Sequence, residues 1–415
     1  TYAALESLGA DFRWHTAVLY TGRIRQGTLE GDLIVQGGGD PFLVTERVQD
    51  LWQQVQQAGI HTIAGDLIAD RSLFQTPPHD PGAFDEQPDR PYNAAPDALL
   101  FDFNALTLHI TPQPDDNSAN IDLQPPLWGS PVPRALPLRS GPCPDPKQAL
   151  GIDLSDPNQV RFAPSYPRSC GERTLYYAYY AHPEEFAPRA LAGLWQAGGG
   201  QLQGVARQGS TPPSAHLLLR YDSLPLADII HTTNKFSNNV MAQQIFLSLP
   251  LFASSQKKNR PSHGSFAASQ RWMQNWWQQH LPASPAPQLE NGSGLSRRER
   301  ISAASLDQLL EVAARSPQFA DFYDSLAIAG VDGTVAKMQN RLPDSPVLGH
   351  ARLKTGTLDD AKAIAGYVTG QSGQLYSVVG IINHERAAAG QPALDALLDW
   401  VARDLPQQTA AVLSQ

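Results

Sequence analysis

Two short stretches of this 415-residue sequence combine residue types that can move a proton and hold an anion. Lys354-Thr355-Gly356 offers an ammonium, a hydroxyl and a residue without a side chain, and Ser237-Asn238-Asn239 offers a second hydroxyl and a carboxamide. A serine hydroxyl is a poor nucleophile until a neighbouring base takes its proton. A lysine in a cationic, partly desolvated pocket can give up its own proton near neutrality, and a second cation can hold a substrate carboxylate. Lys354 suits that last task, with the Thr355 hydroxyl as co-donor and Gly356 letting a substrate backbone lie against the strand. Ser237 suits proton relay between lysines and a leaving amine, and Asn239 can hold an amide through its fixed donor and acceptor. Singly each triplet is weak, because a lone Lys-Thr-Gly is most often a strand-end turn. Their order is the stronger signal: one interrupts a helix, and the other sits on a strand ahead of two apolar strands.

The elements that must position these residues can be read from periodicity. The second half predicts a helix over 226–247 with a polar interruption at 237–239, and a helix over 267–279. Strands follow at 351–355, 363–368 and 375–383, the last two nearly uninterrupted apolar runs of the kind found in central strands. A closing helix over 393–405 carries Leu394, Leu397, Leu398, Val401 and Leu405 as one stripe and stops at Pro406. Helices before and after consecutive strands predict an antiparallel sheet between helical layers, an α/β (α+β) fold. Toward the N-terminus, 1–8 reads as helix with Tyr2, Leu5 and Leu8 on one face and Gly9 as its stop. Strands at 14–20, 31–35 and 65–68 surround a helix at 44–58. Gly37-Gly38-Gly39-Asp40-Pro41 is a turn without the Gly-Lys-Ser/Thr ending of a phosphate loop. Residues 77–146 are crowded with prolines around an alternating run at 105–110, which predicts a β-rich insertion. A strand at 174–180, a helix at 188–197 closed by Gly198-Gly199-Gly200, and a boundary at Pro212-Pro213 complete the reading.

Composition narrows the function classes. A chain of 415 residues exceeds one ordinary core, so two or three packed units are expected. No run approaches the ~18 apolar residues of a membrane span. A net charge of -9 argues against a nucleic-acid partner, and the run Arg297, Arg298, Arg300 is broken by Glu299. No His, Cys or carboxylate cluster has metal spacing, so neither metal nor cofactor is expected. Cys143 and Cys170 are the sole cysteines. A disulfide between them, suited to an oxidising compartment such as the periplasm, and two unpaired thiols both fit the sequence. Ser254 with Lys257 and Ser255 with Lys258 match Ser-x-x-Lys, but they sit in a polar stretch with no apolar helix to aim a hydroxyl, and are expected to be decoys. Ser293, in the turn Asn291-Gly292-Ser293-Gly294, is expected to shape a cleft rim, and His384 to be structural or at the surface.

Ser-x-x-Lys, Ser-x-Asn and Lys-Thr-Gly line one cleft in penicillin-binding proteins and class A β-lactamases. Over nearly all its length the chain resembles the low-molecular-mass class C penicillin-binding proteins, which are D-alanyl-D-alanine carboxypeptidases and endopeptidases. The resembling segments are LESLGADFRWHT, GDLIVQGGGDPFL, LPLADIIHTTNKFSNN, NGSGLSRRERIS, LAIAGVDGT and RLKTGTLDDAKAIAGYV. The resemblance implies a transpeptidase/β-lactamase-like helix–antiparallel sheet–helix domain from 1–25 and 214–415. It further implies an inserted domain from 26–70 and 151–213, and a β-rich domain at 71–150 nested within that. Ser237, Asn239 and Lys354 would be catalytic, and Thr355, Gly356 and Thr357 would bind substrate, the Thr357 N–H sharing the oxyanion with the nucleophile's own. The implied reaction passes through an acyl-serine, with peptidoglycan stem peptides and β-lactams as partners, in the periplasm. A homodimer is compatible with it. Two departures stand out: Asn238 replaces the Asp common in relatives, and the family's Ser-x-x-Lys belongs at the start of the helix that continues as 1–8, so it is expected ahead of Thr1. A β-lactamase or esterase on the same fold, and a non-catalytic peptidoglycan-binding homologue, are the alternative readings.

Overall fold

The computed structural model describes residues 1–113, 115–179, 181–253 and 261–404. The chain forms two compact units, one of Thr1–Phe12, Pro225–Arg260 and Phe266–Gln415, the other of Arg13–Leu224 and Pro261–Ser265.

The first unit opens with α1 (Tyr2–Leu8), which ends at Gly9 and buries Tyr2, Ala3, Ala4 and Leu5, while Leu8 stays half-exposed. The Tyr2 ring meets Trp276 edge-on at 5.9 Å and Phe322 at 5.6 Å, contacts that fix the helix against its neighbours. Then come α2 (Leu226–Phe236), α3 (Asn239–Phe252), α4 (Phe266–His280), α5 (Ala303–Ala314) and α6 (Phe319–Ser325). Strands β1 (Ala327–Ile328), β2 (Ala351–Leu358), β3 (Ala361–Thr369) and β4 (Leu375–Asn383) form one antiparallel sheet in that order. The last helix is α7 (Gln391–Ala402).

Both faces of this sheet are covered, as the sequence predicts. On one, Ile364, Val368 and Val378 share a core with Leu394 and Leu398 of α7, each such side chain stabilising by about 2 kcal/mol. On the other, buried Tyr367 donates its hydroxyl proton to the Leu310 carbonyl of α5 at 2.7 Å. The helix expected over 226–247 is in fact two, α2 and α3, because the interruption at 237–239 breaks it completely. The closing helix begins at Gln391 rather than 393, and Leu405 lies outside the described residues, as do Tyr180 and both decoy pairs, Ser254/Lys257 and Ser255/Lys258.

The second unit begins at Arg13 because strand His15–Tyr20 pairs with Leu33–Gln36 on one side and His216–Asp222 on the other. Leu67–Asp70 and Ala206–Gln208 complete that sheet. A second sheet orders Tyr166–Pro167, Ala135–Arg139, Ser118–Gln124, Ala105–Gln113 and Arg173–Ala178. The expectation sets 166–178 with 151–213, but hydrogen bonding places these strands with Ala105–Gln113 and Ala135–Arg139. Helix Pro183–Ala197 starts five residues earlier than read: Pro183, not Pro188, occupies the first turn, followed by Glu184 and Glu185. Cys143 and Cys170 form a disulfide with Cα atoms 5.0 Å apart, worth about 3 kcal/mol by loop closure.

The glycine run at 37–39 serves close approach. A Cβ on Gly37 would lie 2.2 Å from the Ala98 carbonyl oxygen, and one on Gly38 2.0 Å from that of His15. Asp40, which follows, is buried; one carboxylate oxygen accepts the Phe42 N–H at 2.8 Å and the other has no hydrogen-bond partner. Burial pushes its pKa up to about 6, against the pull of the Phe42 amide and Arg47.

Candidate active site

Serine and asparagine compete with helical hydrogen bonding by bonding locally to backbone, and the triplet at 237–239 does so. Ser237 takes a left-handed conformation at φ 56 and ends α2. Asn238 then caps α3, its side chain accepting the Met241 N–H at 3.0 Å. Asn239 opens α3, and its half-buried carboxamide makes no hydrogen bond to another described residue. The break thereby frees one hydroxyl and one amide that an unbroken helix would have carried around its barrel.

Lys354 meets this break from β2. Its Nζ donates to Ser237 Oγ at 2.6 Å and to the Thr355 carbonyl at 2.9 Å. Lys354 lies on the wall of a cavity of about 470 Å³ that Asn234, Phe246, Trp276, Leu310 and Gly356 also line. Burial there lowers its pKa from 10.5 to about 8, since a desolvated ammonium is disfavoured. A proton can therefore leave or return near neutral pH.

Thr355, Gly356 and Thr357 continue β2. Strand β1 reaches only Leu353 and Arg352, so from Lys354 to Leu358 β2 has β3 on one side and no strand on the other among the described residues. Such an edge can take an extended peptide as an added strand. The Thr355 and Thr334 hydroxyls lie 3.0 Å apart, and Lys362 Nζ donates to Thr357 Oγ1 at 3.1 Å.

Several residues with no sequence-level signal of their own hold the arrangement. Lys235, buried two residues before Ser237, donates to Asp332 Oδ2 at 2.7 Å, and Asp332 Oδ1 accepts the Ile328 N–H at 2.7 Å. Although burial opposes it, the Ile328 amide and the Lys235 ammonium hold the Asp332 carboxyl below its usual range. Gly333 must be glycine here: at φ 56 it passes so close that a Cβ would lie 2.6 Å from the Lys235 carbonyl oxygen. Glu299, in the arginine run, accepts the backbone N–H groups of Glu290 and Asn291 at 2.8 and 3.1 Å and fixes the turn that carries Ser293. Ser293 itself bonds to Asn291 Oδ1 at 2.8 Å. His384 is exposed and accepts the Arg386 N–H at 3.0 Å, which makes it a turn residue. Among the described residues no group of His, Cys, Asp and Glu is arranged to hold a metal, and no helix is long and apolar enough to cross a membrane.

Comparison with known proteins bears on this geometry. The family model described as the D-Ala-D-Ala carboxypeptidase 3 (S13) family matches residues 1–403. The chain is 26% identical over 388 residues to the D-alanyl-D-alanine carboxypeptidase DacB of Haemophilus influenzae, covering 92% of this chain and 78% of that protein. It is 27% identical over 395 residues to the D-alanyl-D-alanine carboxypeptidase of Actinomadura sp. strain R39, covering 91% and 70%. Among solved structures, penicillin binding protein 4 of Haemophilus influenzae superposes with a TM-score of 0.72 at 24% identity, covering 92% of this chain and 83% of that one. The same protein complexed with a novel β-lactam gives a TM-score of 0.69, covering 95% and 88%.

Proposed function

The chain belongs to the D-Ala-D-Ala carboxypeptidase 3 (S13) family and is a serine-type carboxypeptidase, and from that premise we propose how its residues share the work. The substrate is the stem peptide of peptidoglycan, and the workplace is the bacterial periplasm, where the Cys143–Cys170 disulfide is at home. The serine attacks the carbonyl of the penultimate D-Ala, terminal D-Ala leaves, and water releases the acyl group from the enzyme. β-Lactams imitate the substrate and remain as acyl adducts. We further propose that Arg13–Leu224 divides into a part around the sheet of His15–Tyr20 and a smaller β-rich part around the sheet of Ala105–Gln113.

In this reading Ser237 relays the proton to the leaving amine, helped by Lys354, whose lowered pKa suits a group that must exchange protons near neutrality. Asn239 holds the substrate amide through its unengaged carboxamide. The free edge of β2 pairs with the substrate backbone, Thr355 and Gly356 line its path, and the Thr357 N–H takes part in stabilising the oxyanion. The observation that carries the reading is the 2.6 Å contact from Lys354 Nζ to Ser237 Oγ, Lys354 itself lying on the wall of the cavity of about 470 Å³.

Fluorescent penicillin applied to the protein, followed by mapping of the labelled peptide, tests it. A long-lived label on a serine other than Ser254 and Ser255, with D-Ala released from a D-Ala-D-Ala-terminated peptide, is the expected result. Label on Ser254 or Ser255, or rapid turnover of the β-lactam without a stable adduct, would overturn it.

A further inference from the structure

At the end of α2 two consecutive residues invert the usual order of burial: Lys235 is 4% exposed and Phe236 is 72% exposed. A lysine ordinarily keeps to water and a phenylalanine leaves it. The inversion recurs on the segment that faces them. Val331 is 61% exposed, while the next residue, Asp332, pairs with buried Lys235 at 2.7 Å.

The ion pair ties the two segments together, and Gly333 passes so close that a Cβ there would lie 2.6 Å from the Lys235 carbonyl oxygen. Consecutive Cα atoms are about 3.8 Å apart, so Phe236 and Val331, each next to one member of the pair, belong to one lip. That lip adjoins the site at both ends. Ser237 follows Phe236 and accepts from Lys354 at 2.6 Å, and Thr334, three residues after Val331, has its hydroxyl 3.0 Å from that of Thr355. Neither Phe236 nor Val331 carries a side-chain donor or acceptor, so what they can recognise is apolar surface.

Which part of a substrate meets this lip follows from Ser237. If its hydroxyl reaches the leaving nitrogen, a hydrogen bond of about 2.8 Å and an N–Cα bond of about 1.5 Å put the leaving residue's Cα within roughly 4 Å of Ser237 Oγ. The side chain of that residue therefore departs beside Phe236, whereas the acyl part of the peptide lies across the scissile carbonyl.

We propose that Phe236 and Val331 form an apolar rim that reads the side chain of the leaving residue, so that the enzyme favours leaving D-residues with aliphatic bulk. The proposal rests on the peptidase reading and adds a selection made before the acyl-enzyme forms.

The test uses three peptides with one acyl part, ending in D-Ala-Gly, D-Ala-D-Ala and D-Ala-D-Leu, on wild type, Phe236→Ser, Phe236→Leu and Val331→Ser. All three give the same acyl-enzyme, so water releases it at one rate within any one variant, and leaving-group recognition is read in kcat/KM. A methylene fully removed from water corresponds to about 4-fold. A rim open on one side captures part of that, so the D-Leu to Gly ratio of kcat/KM should fall by roughly 10-fold in Phe236→Ser. It should recover in Phe236→Leu and fall less in Val331→Ser, with melting temperatures unchanged because both side chains are exposed. A ratio that stays put in Phe236→Ser, or an equal change in a series that varies the residue ahead of the penultimate D-Ala, overturns the rim and leaves the peptidase reading standing. Wild type that frees the last residue from none of the three peptides and takes no penicillin removes both.

Discussion

Lys354 Nζ stands 2.6 Å from Ser237 Oγ, joining a strand residue to a helix-break residue 117 positions earlier in the chain. The contact exists because the polar triplet ends α2 where β2 passes, and because burial leaves the lysine few other partners. Its consequences separate activity from stability.

Replacement of Lys354 by methionine should depress penicillin acylation by about 100-fold or more, the usual scale for a positioned proton-transfer group. Stability should move the other way. The folded-state pKa, about 8, lies below the unfolded value of 10.5. Between those values the unfolded chain binds more protons, so stability of the wild type rises with pH across that window. Below pH 8 the cost of the buried ammonium is felt in full, at most about 3 kcal/mol. Urea unfolding at pH 7 and pH 10.5 should show that rise in wild type and its absence in Lys354→Met; unchanged labelling of the variant would count against the assigned role.

Asp332→Ala leaves Lys235 as a buried ammonium without its partner, and should cost about 2 kcal/mol, less than a fully buried pair because Asp332 is partly solvated. The backbone turn at Ser237 loses its brace, so penicillin acylation should fall as well. Asp332 titrates below its unfolded value in the native protein, so its contribution is present above about pH 4 and disappears as pH falls through the lowered pKa. Adding Lys235→Met to Asp332→Ala should restore much of the stability in denaturant titrations, and a double variant no better than the single would refute the pairing.

Asp40→Asn should stabilise the protein at pH 7. The native carboxyl has its pKa raised to about 6 by burial, so the folded state binds the proton more tightly than the unfolded chain. Stability of the wild type accordingly falls as pH rises from about 4 to 6, by up to about 3 kcal/mol. Asparagine keeps the acceptor for the Phe42 amide and carries no charge to bury. Thermal melts at pH 4 and pH 7 should show a gain only at the higher pH; an equal effect at both would place the cause elsewhere.

The two candidate triplets stand out in the sequence by their residue types and their order. Ser237-Asn238-Asn239 breaks a helical period, and Lys354-Thr355-Gly356 sits on a strand ahead of two apolar strands. Asp332, Lys235 and Lys362 do not stand out, because what they do depends on partners that only folding brings near: Asp332 meets a lysine 97 positions away, and the setting of Lys362 comes from the β2–β3 register. The sheet membership of 166–178 was hidden for the same reason, since strand partners carry no mark in the text. In Pro183–Ala197 two prolines competed for the helix start, and Glu184 and Glu185 were the cue in favour of the first. Helices α5 and α6 were not anticipated.

At Ser237 the backbone adopts a geometry in which glycine would sit at ease and any L-residue is held at a loss of about 1 kcal/mol. Relaxing that position to glycine would improve the fold and erase the hydroxyl in one stroke. Selection for thermal robustness alone would therefore drift toward an inert protein here, and engineering for heat resistance must leave this single turn untouched.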